Sequence, residues 1–141
     1  MASKIFLDAN IILDFALQRD TGYQVAKDII QYAIDGKANV YITPAIVHIA
    51  GYYITKYHSA HIAKNMLLSL LYNIHCIEMT HESVVRALES ELLDIEDALQ
   101  YYTALNHKMD CFISRDKKFV KAAKPQLPVY DPATFIKKFM N

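Results

Sequence analysis

Short apolar runs alternate with segments of helical periodicity from one end of this chain to the other. Within the runs, apolar residues do not alternate with polar ones, which is typical of strands covered on both faces. Strands that are separated by helices pair in parallel, because the chain must cross over between them. We therefore predict an α/β fold, a three-layer α/β/α sandwich around a central parallel β-sheet of about five strands. The predicted strands are residues 4–9, 39–43, 75–79, 111–114 and 128–131.

Capping residues mark where several of the intervening helices begin and end. Asn10 is predicted to cap the first helix, and Ser59 to begin a later one. Pro44 suits the first turn of the helix after the second strand, and Gly36 suits the end of the helix before that strand. No linker, repeat or low-complexity stretch interrupts the pattern, so we predict a single domain over residues 1–141.

The composition limits the class of protein. Of 141 residues, 53% are hydrophobic and 21% are charged, as in a globular chain with one sizeable core. The formal net charge is zero, so any surface for nucleic acid must be a local patch. No window approaches the roughly 18 consecutive apolar residues that cross a bilayer, and the amino terminus does not resemble a signal peptide. We expect a cytoplasmic protein with no membrane segment.

The two cysteines, Cys76 and Cys111, are an isolated pair. Each lies within an apolar run. We expect two small buried thiols rather than a disulfide or a metal site.

Carboxylates lie where two of the predicted strands end. Asp8 ends the first strand, and Asp116 follows the fourth. In an open parallel sheet, sites form outside the carboxyl ends of the strands, so these acids can meet there if their strands are neighbours. The helix before the fourth strand adds Asp94 and Asp97, which are three residues apart and share one face. Glu96 is expected to point elsewhere.

Converging carboxylates imply a cation between them, since they otherwise repel and raise each other's pKa. Mg²⁺ and Mn²⁺ prefer oxygen ligands and keep several bound waters. A water on such an ion becomes a better nucleophile, and the ion stabilises charge that develops on a phosphate. The acids therefore predict metal-dependent hydrolysis of a phosphodiester bond.

Each acid also has a purely structural interpretation. Asp8 could be a turn or cap residue, and Asp116 could cap a short helix over residues 117–123. Asp94 is a natural N-cap, a role that we favour over direct ligation of a metal. Other acids are expected on solvated surfaces, namely Glu78, Glu82, Glu89 and Glu91.

Three segments of the chain resemble the motifs of PIN-domain proteins. They are FLDANIILDF, DIEDALQYY and CFISRDKKF, and the resemblance covers nearly the whole chain. The VapC-type toxins of bacterial toxin–antitoxin operons are the most similar branch. By resemblance, the catalytic metal ligands are Asp8, Asp97 of the EDA motif and Asp116 of the SRD motif. Asn10 and Ser114 match the Asn and the small hydroxyl residue of the same motifs.

This resemblance implies an activity, a cofactor and partners. The activity is Mg²⁺- or Mn²⁺-dependent endoribonuclease cleavage of tRNA, rRNA or mRNA. The protein is expected to be the toxin of a type II toxin–antitoxin pair, silenced by an antitoxin whose tail fills the acidic groove. Homodimers are usual in the family. Asp94 is expected to support the metal ligands from outside, and Asn10 to orient Asp8 or a metal-bound water.

One acid of the family pattern is missing. A second acid, usually Glu, belongs in the helix after the second strand, near His48 or Ile49, but no carboxylate occurs between Asp35 and Glu78. Water can fill a vacant position on Mg²⁺, yet such a loss can cost about 10- to 100-fold in affinity or rate. His48 could itself ligate Mn²⁺, although packing is the commoner role for a lone histidine on an apolar helix. The alternative is a PIN-fold protein that binds RNA or an antitoxin without turnover.

An unrelated α/β fold with Mg²⁺ at strand-end acids, such as a receiver-like or phosphatase-like domain, is a third interpretation. A receiver needs an adjacent pair of acids at the first strand and a lysine directly after a late strand. The single Asp8 and the absence of lysine after CFIS argue against it.

Basic side chains close to Asp116 are candidates for contacts to an RNA backbone. An ordinary solvated helix face explains them equally well. The candidates are Arg115, Lys117, Lys118 and Lys121, followed by Lys124, Lys137 and Lys138.

Tyrosine and methionine enrichment suggests a subunit interface or an antitoxin groove. The helix after the second strand carries Tyr52, Tyr53 and Tyr57, and residues 66–72 of the next helix are mostly apolar. Part of this apolar stripe must belong to the core.

Overall fold

Five parallel strands form the central sheet of the computed structural model, which describes residues 2–140. Their order across the sheet is β3-β2-β1-β4-β5, so every pair of consecutive strands in the chain is joined by a crossover that contains helices. The predicted α/β/α fold with a parallel five-stranded sheet is confirmed. The strands are β1 (Ser3–Leu7), β2 (Ala38–Ile42), β3 (Ile74–Cys76), β4 (Cys111–Ile113) and β5 (Val129–Tyr130).

Eight helices accompany the sheet within the described residues. Several begin as the sequence predicts, with Pro44 in the first turn of α3 and Ser59 as the cap of α4. Gly36 follows α2 with a φ of 73°, a left-handed conformation that glycine adopts without steric cost. The helices are α1 (Ala9–Ala16), α2 (Tyr23–Ile34), α3 (Pro44–Tyr57), α4 (Ala60–Leu70), α5 (His81–Glu89), α6 (Ile95–Asn106), α7 (Lys117–Ala122) and α8 (Pro132–Phe139).

The register between β1 and β4 determines which residues leave the sheet side by side. Leu7 lies opposite Ile113, and the backbone N–H of Asp8 donates to the carbonyl of Ile113 at 3.0 Å. On the other side of β4, the N–H of Ser114 donates to the carbonyl of Tyr130 at 3.0 Å. Asp8 and Ser114 are therefore neighbours at the carboxyl edge of the sheet.

Aromatic packing holds α6 against these two central strands. The rings of Phe6 and Phe112 stack at a centroid distance of 4.9 Å, and the ring of Tyr101 lies 5.9 Å from that of Phe112. The hydroxyl of Tyr101 donates to the carbonyl of Leu127 at 2.7 Å and accepts from the N–H of Lys124 at 2.8 Å. Because its side chain is buried and its hydroxyl is satisfied, Tyr101 anchors α6 firmly.

Three local predictions are wrong. Asp8, not Asn10, is the N-cap of α1, because β1 ends at Leu7, two residues earlier than predicted, and Asp8 retains an extended backbone. The third strand is Ile74–Cys76 rather than residues 75–79. Cys76 is exposed, since β3 is an edge strand, whereas Cys111 is buried as predicted, and both thiols are free.

Membrane insertion by a helix is not supported by these elements. Within residues 2–140, none of the helices combines the length and the hydropathy that crossing a bilayer requires.

Candidate metal centre

Asp8 is buried at the point where β1 passes into α1. Its side chain is 3% exposed, and its Oδ1 accepts a hydrogen bond of 2.7 Å from the N–H of Ala9. A carboxylate at the start of a helix is stabilised by the free N–H groups and the helix dipole there. The structural role that the sequence allowed for Asp8 therefore exists, and it leaves Oδ2 to meet other groups.

Ser114 links Asp8 to the end of β4. Its buried hydroxyl donates to Asp8 Oδ2 at 2.7 Å and accepts from the N–H of Asp116 at 3.1 Å. The side-chain amide of Asn10 lies 3.4 Å from Asp8 Oδ2 and 3.5 Å from Ser114 Oγ. These contacts restrict the orientation of the Asp8 carboxylate, and the role of Asn10 at a metal site stays a prediction.

The first turn of α6 brings further carboxylates to Asp8. Asp94 is the N-cap, and its Oδ1 accepts from the N–H of Asp97 at 3.0 Å. One carboxylate oxygen each from Asp8, Glu96 and Asp97 lies within 4.8 Å of the others. We call these three residues the acidic cluster. The predicted convergence of Asp8 and Asp97 is therefore present.

The prediction that Glu96 points elsewhere is wrong. Adjacent helical residues are about 100° apart around the axis, so Glu96 and Asp97 would diverge in the middle of a long helix. Here both residues lie in the first turn, where α6 begins beside the edge of the sheet. The extra methylene of glutamate lets the carboxylate of Glu96 reach Asp8. The sequence feature that could have revealed this is the position of Glu96 two residues after a strong N-cap.

Asp116 lies beside the acidic cluster rather than in it. It caps α7, where its Oδ1 accepts from the N–H groups of Lys118 at 2.9 Å and Phe119 at 3.4 Å. Its charge nevertheless contributes to raising the pKa values of Asp8 and Asp97. Asp116 thus has the capping role that the sequence allowed, and its charge also acts on the carboxyl groups of Asp8 and Asp97.

The electrostatics of the acidic cluster favour protons over free carboxylates. Burial raises the pKa of Asp8, more than its hydrogen bond from Ser114 lowers it. Partial burial, then repulsion from Asp8 and Asp94, raises the pKa of Glu96. Partial burial and the surrounding carboxylates raise the pKa of Asp97 to about 7. A cation would relieve this repulsion.

The donor set fits a hard divalent cation. It offers only carboxylate oxygens, and their mutual separation is close enough for one ion to contact several of them. The cluster is partly open to solvent, because Glu96 is exposed and Asp97 is half-buried, so bound waters have room. Oxygen ligands and retained water are the coordination that Mg²⁺ and Mn²⁺ prefer.

His48 is not among the residues of the acidic cluster. It is exposed and lines a groove between α3 and α4 together with Tyr52 and Lys64. Nothing in this placement supports metal ligation by His48. Neither His48 nor Ile49 supplies the acid that the family pattern has in α3.

The basic candidates divide into two kinds. Lys117, Lys118 and Lys121 are exposed on α7, directly after Asp116. The guanidinium of Arg115 instead contacts the carboxylate of Asp14, with Nη2 donating to Oδ1 at 3.1 Å. Arg115 therefore differs from the lysines in having a fixed acidic partner.

Metal-free protein should lose stability as the pH rises through about 7, because Asp97 must then ionise among other carboxylates. Its folded pKa lies above the usual 3.8, so its stabilising contribution is complete below about pH 4 and is lost as the pH rises. Asp97→Asn, a neutral isostere, should flatten the dependence of Tm on pH in EDTA between about pH 4 and about pH 7. The slope should not vanish, since Asp8 and Glu96 titrate in the same direction.

The control for this measurement is Asp20→Asn, at an exposed position before α2. It should keep the wild-type slope. Equal slopes for wild type and Asp97→Asn would contradict the electrostatic description of the cluster.

Comparisons with known proteins agree with this geometry. The sequence model of the PIN domain family matches residues 4–118, which include the strands and helices that carry the acidic cluster. No curated protein sequence matches the chain.

Three solved structures share the fold. VapBC2 from Rickettsia felis, bound to a DNA fragment from its promoter, superposes with a TM-score of 0.70 at 14% identity, covering 91% of this chain and 98% of that one. A toxin–antitoxin complex from Klebsiella pneumoniae gives 0.66 at 23% identity, with 91% and 97% covered. VapC20 from Mycobacterium tuberculosis, a Sarcin–Ricin loop cleaving toxin, gives 0.68 at 13% identity, with 88% and 98% covered. The match to the family model over most of the chain means that this protein belongs to the PIN-domain family.

Proposed function

We propose that this protein is a metal-dependent endoribonuclease, the toxin of a type II toxin–antitoxin pair. The observation that carries the proposal is the acidic cluster at the carboxyl edge of the sheet, built from the Asp8 and EDA motifs of a PIN-domain chain. The similarity in fold to VapC20, a Sarcin–Ricin loop cleaving toxin, supports RNA as the substrate class. A protein that cleaves cellular RNA would act in the cytoplasm.

Asp8, Asp97 and Glu96 would hold Mg²⁺ or Mn²⁺, with Asp116 contacting the ion or its waters. When bound, such an ion activates a water and stabilises the charge that develops on the scissile phosphate. Ser114 and Asn10 hydrogen-bond to the Asp8 side chain and would keep its carboxylate oriented for such an ion. Asp94 fixes the first turn of α6 by capping it.

The exposed lysines of α7 would contact the RNA backbone beside the metal. Lys117, Lys118 and Lys121 follow Asp116 directly, so a phosphate at the metal would place its neighbours within their reach. Their positive charge would also offset the repulsion between the acidic cluster and a polyanion.

Asp8→Asn should abolish most RNA cleavage while keeping the fold, because it removes a charged ligand without changing the shape of the buried side chain. We expect a loss of about 100-fold or more in the rate at saturating RNA, measured with Mn²⁺ or Mg²⁺. Asp35→Asn, at the exposed end of α2, is the matched control and should cleave like wild type. Equal cleavage by Asp8→Asn and wild type would reject a mechanism based on these acids.

A binding protein without turnover is the second candidate function. The observation that favours it is the absence of a carboxylate at positions 48 and 49 of α3. Such a protein would bind RNA or an antitoxin but would show no cleavage that depends on Asp8. The cleavage assay above separates the two functions.

Glu96 would compensate for the acid that α3 lacks. It contributes the third carboxylate of the cluster from α6, so the number of acids near Asp8 is maintained. The proposed catalysis by the acidic cluster therefore does not require an acid in α3.

Glu96→Gln should weaken Mn²⁺ binding by about 10-fold or more, as measured by calorimetry without RNA. Glu91→Gln is the matched control, because it removes the same charge from an exposed position shortly before α6. It should change the affinity little, since solvent screens charges that do not contact the ion. Unchanged affinity in Glu96→Gln would show that Glu96 is not a ligand.

An antitoxin would bind at the mouth of the acidic cluster. The side chains of Leu93 and Ile95 flank Asp94 and are 97% and 61% exposed, which is unusual for leucine and isoleucine beside a charged site. A partner segment with one basic side chain for the cluster and apolar ones for these two residues fits this surface.

Binding of the polypeptide encoded by the neighbouring reading frame should be lost in Leu93→Asp, and full retention would count against the assignment.

A homodimer would use the outer face of α3 and α4. Leu67 and Leu70 of this predicted stripe belong to the core, but Tyr52, Tyr57 and Leu68 are each more than half exposed. Several large apolar side chains on two adjacent helices are typical of an interface.

Charge introduced on this face should dissociate the dimer. In sedimentation experiments, Tyr52→Asp should reduce the molecular mass of the particle from that of a dimer to that of one chain, 16.1 kDa. Leu88→Asp, at an equally exposed apolar position on α5, is the control and should stay dimeric. A wild-type protein that sediments as a monomer would contradict the dimer.

A further inference from the structure

Asp14 is a buried carboxylate that the proposed chemistry does not use. It lies on α1 with 1% exposure, and it contacts Arg115 of the loop between β4 and α7 through both carboxylate oxygens. Arg115 Nη2 donates to Oδ1 at 3.1 Å, and Nε lies 2.6 Å from Oδ2, although that second contact is not aligned as a hydrogen bond. A buried carboxylate without a cationic partner is strongly unfavourable, so the burial of Asp14 depends on its contact with Arg115.

Gly22 provides the space in which Asp14 sits. A Cβ at position 22 would lie 2.1 Å from Asp14 Oδ2 and 2.6 Å from Asp14 Cγ. Its φ of −118° is available to any residue, so backbone conformation does not require glycine here. The close approach of the Asp14 side chain is what requires it.

Helix α1 contacts the loop after β4 at three successive points. Asp8 accepts from the hydroxyl of Ser114, and Asn10 Oδ1 lies 3.4 Å from the N–H of Arg115. Asp14, four residues after Asn10 and therefore on the same face of α1, contacts the Arg115 side chain. Within residues 2–140, the hydrogen bonds of Asp116, the next residue of the loop, all lie within the loop and α7.

We propose that the Asp14–Arg115 pair, seated against Gly22, is a positioning device that fixes the loop of residues 114–116 so that Asp116 faces the acidic cluster. Arg115 is therefore a positioning residue and not a contact for the RNA backbone. The guanidinium contacts both carboxylate oxygens, one through a hydrogen bond and the other through charge alone, so the pair restrains the position of the loop. The inference rests on the proposed function, because it assigns a role to Asp116 at the metal.

The competing role for Arg115, contact with an RNA phosphate, makes a different prediction for Asp14. If Arg115 binds RNA, removing the charge of Asp14 frees the guanidinium and should preserve or improve RNA binding. If the pair positions Asp116, removing either partner should have the same effect. Asp14→Asn and Arg115→Ala therefore discriminate between the two roles.

The experiment is titration of Mn²⁺ by calorimetry, without RNA, on the full chain and its variants. Asp14→Asn and Arg115→Ala should each weaken Mn²⁺ binding by about tenfold, because a misplaced ligand loses most of its contribution. The double variant should bind no more weakly than either single variant, since both break one interaction. Gly22→Ala, which displaces Asp14 without removing a charge, should weaken binding in the same direction.

Arg19→Ala is the matched control. Arg19 Nη1 also lies near Asp14, at 3.7 Å from Oδ1, but Arg19 belongs to the segment between α1 and α2 and not to the loop. It should bind Mn²⁺ like wild type. With saturating Mn²⁺, Arg115→Ala should regain most of the wild-type kcat with an unchanged KM for RNA, which a general loss of folding would not produce.

The outcomes separate the inference from the function beneath it. Mn²⁺ affinity at the wild-type level in folded Asp14→Asn or Arg115→Ala would overturn the positioning role. A raised KM for RNA in Arg115→Ala alone would overturn it in favour of phosphate contact. If Asp14→Asn does not fold, Arg115→Ala and Gly22→Ala decide the question. A wild-type protein that binds no Mn²⁺ would overturn the proposed metal site itself.

Discussion

The pairing of β1 with β4 is the constraint on which the rest of the site depends. Their register puts Leu7 opposite Ile113, so that Asp8 and Ser114 are the first residues beyond the sheet on adjacent strands. The hydrogen bond of 2.7 Å between their side chains follows from that register. A slip of β1 by one residue would turn the Asp8 side chain to the opposite face of the sheet and separate its carboxylate from the hydroxyl of Ser114. Chain segments more than 100 residues apart are thus joined by one short contact.

The acidic cluster stores electrostatic repulsion in the folded chain. The fold places Asp8 and Asp97 where burial and neighbouring charge raise their pKa values, and it does so with hydrogen bonds and helix caps that keep them from moving apart. Such an arrangement destabilises the metal-free protein. A divalent cation bound at the cluster would relieve the repulsion, and this relief would contribute to its binding free energy. The same caps that stabilise α1 and α6 therefore prepare the proposed metal site.

The sequence was sufficient for the sheet and for two members of the acidic cluster. Continuous apolar runs predicted parallel strands, and acids at the carboxyl ends of parallel strands lie at the same edge of the sheet. Helical periodicity gave the wrong direction for Glu96. It predicts which side chains share a face inside a helix, but in the first turn a long side chain can extend past the end of the helix. The exposed position of Cys76 depended on β3 being an edge strand, and strand order is not written in local periodicity.

The Asp14–Arg115 contact was beyond prediction for a different reason. Both residues lie in the motifs FLDANIILDF and CFISRDKKF, but only tertiary packing distinguishes a buried acid on α1 from a solvated one. Only the fold brings Gly22 against the Asp14 side chain. Asp116 has the capping role that the sequence allowed, whereas its role as a metal ligand stays a prediction, because it lies outside the three converging carboxylates.

Diffraction from crystals grown with Mn²⁺, recorded where manganese scatters anomalously, tests the central claim most directly. The account predicts one strong peak at the end of β1, within coordination distance of carboxylate oxygens from Asp8, Glu96 and Asp97. An ion bound elsewhere on the protein, or these three side chains turned apart in the presence of Mn²⁺, would contradict it.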